Sequence, residues 1–366
     1  MNILNGVAPR LLLTSFAMST AFSFVAPGAV ASEHDDLFAG MTIRLVQTGS
    51  SGGSTDRVAR LLVPFLEERL PGNPTVVVVD GGRSLAGGNE YEMRGARDGS
   101  EVLVDSSSVI MSQVYGRPEV RYDVRDWTPL IAQAAGGIAY VSPDIGYSEP
   151  ADLPDVQDQL IYAGTEPQTV AGLFSWAVHL MGIDMLTVWG YEDTDRAHVA
   201  WLQGEATVDR QGSALYLDVV QPLVDAGEAI PLFSQGHIRD GEYIRDPVFP
   251  DIPHPGEVYE AIHGEPPSGP DWDALKGLTA QYNFFKIFYY HNDVPDEMIR
   301  AWREAAIDIA NDPEFLERAR PEVGDYPWVV GDDLESTQEA LLGAGGEGVD
   351  RWLTYLEEHE GIDVQR

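Results

Sequence analysis

From Thr42 onward, short apolar runs alternate with longer stretches in which apolar residues recur every three or four positions. TIRLVQ, starting at Thr42, predicts a strand. Thr55–Leu70 places Val58, Leu61, Leu62, Phe65 and Leu66 on one helical face. Thr55 or Ser54 is the predicted N-cap, and Pro71-Gly72 the stop. TVVVV, Thr75–Val79, reads as a strand buried on both faces. GGRSLAGG predicts a loop ahead of a short helix around Glu90–Gly95, and Glu101–Asp105 a third strand before SSS and another helix. This βαβαβ order predicts a mostly parallel sheet flanked by helices.

A Pro- and Asp-rich stretch at Pro143–Pro154 introduces a second unit of the same kind. Leu160–Gly164 predicts a strand, TEPQT a loop and Val170–Met181 a helix. MLTVWG (strand), Asp195–Leu202 (helix), EATVDRQ, a helix over Ser213–Asp225 and AIPLF continue the alternation. Residues 264–277 read as a loop or insertion. Gln281–Tyr290 reads as an aromatic strand able to return to the first lobe, and the chain from Asp296 on as mostly amphipathic helix.

LVQTGSSGGSTDRVARLL and LIYAGTEPQTVAGLFSWAVHL share one plan: strand, polar loop, helix. In a parallel α/β sheet such loops sit at the carboxyl ends of the strands, where ligands bind. Two facing helix N-termini would form an anion site from backbone N–H groups and helix dipoles, with no basic side chain required.

Composition narrows the choice. The chain has 59 Asp and Glu against 23 Lys and Arg, a net charge of −36, which excludes the basic footprint of a nucleic-acid binder. Lys276 and Lys286 are its only lysines. So much acid with so little lysine predicts adaptation to saline surroundings, where salt screens long-range repulsion of an anionic ligand. At the N-terminus Arg10, the apolar LLLTSFAMSTAFSFV and Ala29-Val30-Ala31 predict an export signal over residues 1–31, cut after Ala31. The chain has no Cys, hence no disulfide, thiolate metal site or lipidated cysteine. Together these predict an exported, unlipidated protein of the Gram-negative periplasm.

Three chemistries compete for the first loop. A Walker A loop needs Gly-Lys-Ser/Thr, and Gly53-Ser54-Thr55 has no Lys. Gly49, Gly52 and Gly53 have the wrong spacing for a dinucleotide fingerprint. Gly49-Ser50-Ser51-Gly52-Gly53 fits a nucleophile elbow with Ser51 as nucleophile, but it follows the first strand, leaving no upstream oxyanion-hole donor. His237, His254 and His263 lack helical zinc spacing and read as solvated loop residues; no metal or cofactor is expected. Arg83 and Arg210 are candidates near strand ends, set against pairing with surplus surface carboxylate.

Five motifs carry a family resemblance: IRLVQTGSSGGSTDRVARLLVPFLEERL, TVVVVDGGRSLAGGNEY, RDGSEVLVDSSS, YDVRDWTPLIAQ and FPDIPHPGEVYEA. From Met41 to about Leu342 the chain resembles the Bug (TctC-like) solute-binding proteins of tripartite tricarboxylate transporters. The resemblance implies a two-lobed α/β, type II-like periplasmic-binding-protein fold, each lobe a mostly parallel sheet flanked by helices, with a ligand cleft between lobes. Lobe 1 would comprise 32–145 plus about 281–366, and lobe 2 residues 146–280. It implies a monomer that captures a small di- or tricarboxylate and delivers it to large and small integral-membrane permease subunits.

The implied ligand-binding residues are Thr48, Gly49, Ser50, Ser51, Gly52, Gly53, Ser54 and Thr55, with Asp56 bracing the loop, then Arg83 and the hydroxyls of Ser106, Ser107 and Ser108. From the second lobe come Gly164, Thr165, Glu166, Gln168, Thr169 and Arg210. There the pattern departs: Pro167 removes a donor, Glu166 adds negative charge, and Val188-Trp189-Gly190-Tyr191-Glu192 stands where the family has Val-Pro-Tyr-Lys-Gly. Glu166 would face a cationic or hydroxylated part of the ligand and Arg210 a second carboxylate. The alternatives are an exported serine hydrolase using Ser51 and a ligand-binding sensory partner of a membrane kinase.

Overall fold

The computed structural model describes residues 36–239 and 241–364. The expected export signal over residues 1–31 lies outside the described residues. The chain begins β1 (Thr42–Gln47), α1 (Ser54–Arg69), β2 (Thr75–Asp80), α2 (Ser84–Arg94), β3 (Glu101–Asp105), α3 (Ser108–Val114) and β4 (Trp127–Gln133). It continues through β5 (Gly137–Val141), α4 (Leu153–Val156), β6 (Ile161–Gly164), α5 (Val170–Leu180), β7 (Leu186–Trp189), α6 (Thr194–Leu202) and β8 (Val208–Gly212). Next come α7 (Ser213–Leu215), α8 (Gln221–Asp225), β9 (Ile230–Ser234), a hairpin of β10 (His237–Arg239) and β11 (Glu242–Ile244), α9 (Pro255–His263) and α10 (Pro270–Thr279). The last part is β12 (Lys286–His291), α11 (Asp296–Ala310), α12 (Pro313–Val323), β13 (Trp328–Val329), α13 (Asp333–Gly343) and α14 (Glu347–Glu358).

Two sheets organise these elements, in the orders β13-β4-β12-β3-β1-β2 and β7-β6-β8-β5-β9. Each is mixed. The βαβ units give the parallel neighbours β2, β1 and β3 in one sheet and β7, β6 and β8 in the other. The strands next to the crossings between sheets, β12 and β5, run antiparallel to their neighbours. The chain leaves the first sheet at Ala134–Gly136, ahead of the Pro143–Pro154 stretch, and returns into its middle at β12. The fold is therefore a two-lobed α/β architecture with two crossings. One apolar core runs through both lobes, joining Leu103, Ile287 and Tyr289 of the first sheet to Tyr162, Val208 and Phe233 of the second. The C-terminal α14 lies on α5 and α10, fastening the end of the chain to the second sheet's flank.

Three local expectations change. TVVVV forms the edge strand β2, with Val76 buried and Val77–Val79 half-buried, because only β1 pairs with it. GGRSLAGG is not wholly a loop: from Ser84 it is helical, since buried Gly87 and Gly88 let α2 close on its neighbours. Residues 270–279 form α10 rather than an insertion loop. Pro270 occupies the helix start, and Trp272, Leu275 and Leu278 recur at helical spacing on the buried face.

Candidate functional site

The first loop is held from within. Gly52 takes φ +77°, a conformation glycine adopts without Cβ strain, and its N–H donates to Asp56 Oδ2 at 3.0 Å. The same oxygen accepts Arg60 Nε at 2.9 Å. Gly53 N donates to Ser50 O, and Gly49 N to the Gln47 side chain at 2.7 Å. The hydrogen bond from Arg60 is the main reason the Asp56 carboxyl is held below its usual range. For Asp56→Asn we expect a loss of ~1 kcal/mol, because half-exposed Arg60 is screened by water and one good acceptor is replaced. A depressed carboxyl contributes stability above its unfolded value of about 4, lost as pH falls through the lower folded value. Urea unfolding from pH 7 down into acid should show the full gap at pH 7 and its narrowing below about pH 4; an equal gap throughout would contradict the bracing role.

The helix that follows differs at its start from α5 and α6 of the second lobe. α1 starts on Gly53 with no side-chain cap, contrary to the expected Ser54 or Thr55. By contrast α5 is capped by its own Thr169, whose Oγ1 accepts from Ala171 N, and α6 by Asp193. The first-turn N–H groups of α1 are thus left for another acceptor, whereas α5 has already used a side chain. The two strand–loop–helix units therefore start their helices differently.

Behind α1 stands a residue the sequence reading passed over. Lys286 opens β12, and its Nζ donates to Thr55 Oγ1 at 3.2 Å. Its residue exposure is 4 %. Burial pushes the ammonium down to about 8, with nearby Asp105 opposing that shift and Arg57 adding to it. The sequence expected no basic side chain at this loop; the structure places the Lys286 ammonium against its last residue. The available signal was a lysine inside an aromatic strand of an almost lysine-free chain. Asp105, also unforeseen, is fully buried and accepts from Thr48 Oγ1, Ser108 Oγ at 2.9 Å and Val109 N at 2.8 Å. It thereby joins the loop after β1 to the loop after β3. Ser107 is buried in a left-handed conformation at φ 64°, Ser106 is half-buried, and Arg83 lies exposed at the start of α2.

In the second lobe Thr165, Glu166 and Thr169 line an open pocket of about 710 Å³ together with Trp189, Tyr191, Glu192 and Asp193. These residues come from the carboxyl ends of β6 and β7, and no first-loop residue lines the pocket. Gly164 packs under the Trp189 ring. Glu166 accepts Arg117 Nη2 at 3.2 Å, and Gln168 O lies 3.5 Å from the same nitrogen, so an arginine after α3 reaches across to this loop. The acid expected to meet a ligand cation already has a partner in the chain.

Arg210 is elsewhere. It is 6 % exposed, donates from Nη2 to the Tyr282 hydroxyl, and stacks over the Tyr282 ring at 5.5 Å. Its Nε has no hydrogen-bond partner, and no carboxylate lies in ion-pair range among the described residues. It is not the surface ion pair that the sequence offered as one alternative, and it does not line the pocket beside Glu166.

Each of the three histidines has a partner within the fold, although His263 is exposed as expected. His237 is buried and contacts Ala135 O at 2.9 Å, His254 caps α9, and His263 contacts Met181 O. His237 opens β10, His254 is the N-cap of α9 and His263 ends it, so none stands in the free loop that the sequence suggested. Each hydrogen bond of a described histidine goes to a group other than Ser51.

Neither a protein-family model nor a curated protein matches this sequence. Solved structures do match the fold. A TctC solute-binding protein from Polaromonas, solved without ligand, aligns at TM-score 0.61 and 15% identity, covering 83% of this chain and 98% of that one. MatC from Rhodopseudomonas palustris, with bound malate, aligns at 0.55 and 16% identity over 87% of this chain and 100% of its own. The periplasmic binding protein BugD aligns at 0.55 and 17% identity over 90% and 100%. At such identities the likeness establishes the fold, which is that of periplasmic binding proteins.

Proposed function

We propose that this chain, which has the fold of the TctC and Bug binding proteins, is an extracytoplasmic solute-binding protein for a small organic carboxylate. The observation that carries the reading is the loop Thr48–Thr55. It sits at the carboxyl end of β1 and leads into an uncapped helix N-terminus, with a buried ammonium behind it. Unsatisfied N–H groups, the positive end of a helix dipole and a cation together favour a small anion. The malate bound to MatC and the adipate bound to another Rhodopseudomonas palustris protein of this fold, Rpa4515, support the choice of carboxylate over phosphate. In this reading the loop takes one acid group and the lobes close over the ligand. The monomeric protein then delivers it from the periplasm to the large and small membrane subunits of a tripartite transporter. The acidic surface suits a saline habitat.

The hydrolase reading needs a general base at Ser51, and none of the histidine hydrogen bonds goes there. A thermal-shift panel of di- and tricarboxylates, aromatic acids and acidic amino acids tests the main reading. A true ligand at 100 times its Kd adds about 2.7 kcal/mol. A folded sample that shifts with none of them in high salt excludes the carboxylate reading.

A further inference from the structure

A charge of −36 means that cations in this chain are surrounded by potential partners. Arg44, Arg57, Arg60, Arg69 and Arg117 all have carboxylates within ion-pair range. Lys286 does not, among the described residues. Its three donors have one acceptor in reach, the Thr55 hydroxyl, and its Nζ stands 4.3 Å from the Phe285 ring centroid. The charged groups that bear on it are Asp105 from β3 and Arg57 from α1. Asp105 is already engaged by Thr48, Ser108 and Val109.

The placement is specific. Along β12, Ile287 and Tyr289 enter the core shared by the lobes, while Phe288 and Tyr290 enter the core under α1 and α11. By strand alternation Lys286 shares the face of Phe288 and Tyr290, which points it at the first turn of α1. A buried ammonium with no carboxylate in ion-pair range destabilises the empty protein, because Asp105 repays its desolvation only in part. A site that holds such a charge ready beside unclaimed helix N–H groups fits an anionic partner brought from outside.

We propose that Lys286 determines specificity in this site: its ammonium is the counter-charge for the ligand's ionised carboxylate and discriminates it from the neutral amide. This rests on the carboxylate reading above. A carboxylate satisfies both the ammonium and the N–H groups, whereas an amide leaves the charge unpaired. The same geometry makes binding pH-dependent. The free ammonium, pushed down to about 8, is protonated at neutral pH, and a bound anion raises that value. Affinity therefore falls as pH rises through about 8, by up to about tenfold per unit.

The test is calorimetric titration of the full chain with malate, adipate and their diamides at pH 7 to 9.5, for the natural protein, Lys286→Met and Lys286→Arg. The expected result is carboxylate binding without diamide binding by the natural protein. Lys286→Met should lose about 30-fold or more at pH 7 and lose the fall in affinity above pH 8. Its melting temperature without ligand should be unchanged or higher, whereas a merely structural lysine would lower it. Lys286→Arg should keep most of the affinity with a flat profile to pH 9.5, since guanidinium stays charged. Lys286→Met binding within threefold of the natural protein, with the same pH profile, overturns the assignment and leaves the carboxylate reading standing. A folded natural protein that binds neither acid overturns both.

Discussion

Replacing Asp105 by Ala should cost ~3–5 kcal/mol of folding stability, measured by chemical denaturation. The carboxylate is fully buried and accepts from Thr48, Ser108 and Val109 N. Ala removes every one of these acceptors. The Val109 N–H at the start of α3 and the two hydroxyls would be stranded without water to replace the lost bonds. Lys286 would also lose the one nearby group that favours its charge. Because the residue ties the loop after β1 to the start of α3, carboxylate binding should fall with stability. Asp105→Asn keeps one acceptor and should recover part of both. A loss below 1 kcal/mol in the Ala variant would mean that the buried donors find other partners.

Trp352→Ala should be comparably damaging, at ~3–5 kcal/mol. The indole is fully buried on α14, packs against Tyr115 of the first lobe at 4.9 Å between ring centroids, and lies beside Gly172 on α5. Gly172 is itself crowded: a Cβ there would stand 1.9 Å from Pro167 O. One ring therefore joins the end of α3, the N-terminal turn of α5 and the C-terminal helix. Its Nε1 has no hydrogen-bond partner. Trp352→Phe consequently loses volume but no bond and should cost clearly less than Ala, which separates packing from polarity. Hydrogen exchange should show the damage first in α14 and α5. If exchange instead rises evenly across the molecule, Trp352 does not act as a local fastener.

Much of the architecture was legible along the chain. The 3.6-residue periodicity over Thr55–Leu70 placed α1 within a residue of Ser54–Arg69, and the βαβαβ order gave the parallel trio β2, β1 and β3. Apolar period and turn residues act locally, so the sequence displays them directly. The Gly-rich loop and the role of Asp56 belong to the same local class, since Gly52, Asp56 and Arg60 lie within two turns of one another.

Sequence alone thus determined the alternating elements, the acidic charge and the glycine-rich loop after β1. Tertiary structure decided that TVVVV is an edge, that β12 inserts antiparallel between β3 and β4, and that α14 closes on α5. It also decided the electrostatics. Lys286 is 231 residues from Thr55 in sequence and in hydrogen-bond contact with it in space. Arg210 meets Tyr282 across a lobe crossing, and Arg117 reaches Glu166 from the opposite lobe. The physical reason is that periodicity encodes which face of an element is buried, whereas the worth of a charge depends on what else is buried beside it. That neighbour is fixed only when strands distant in sequence take adjacent places in a sheet.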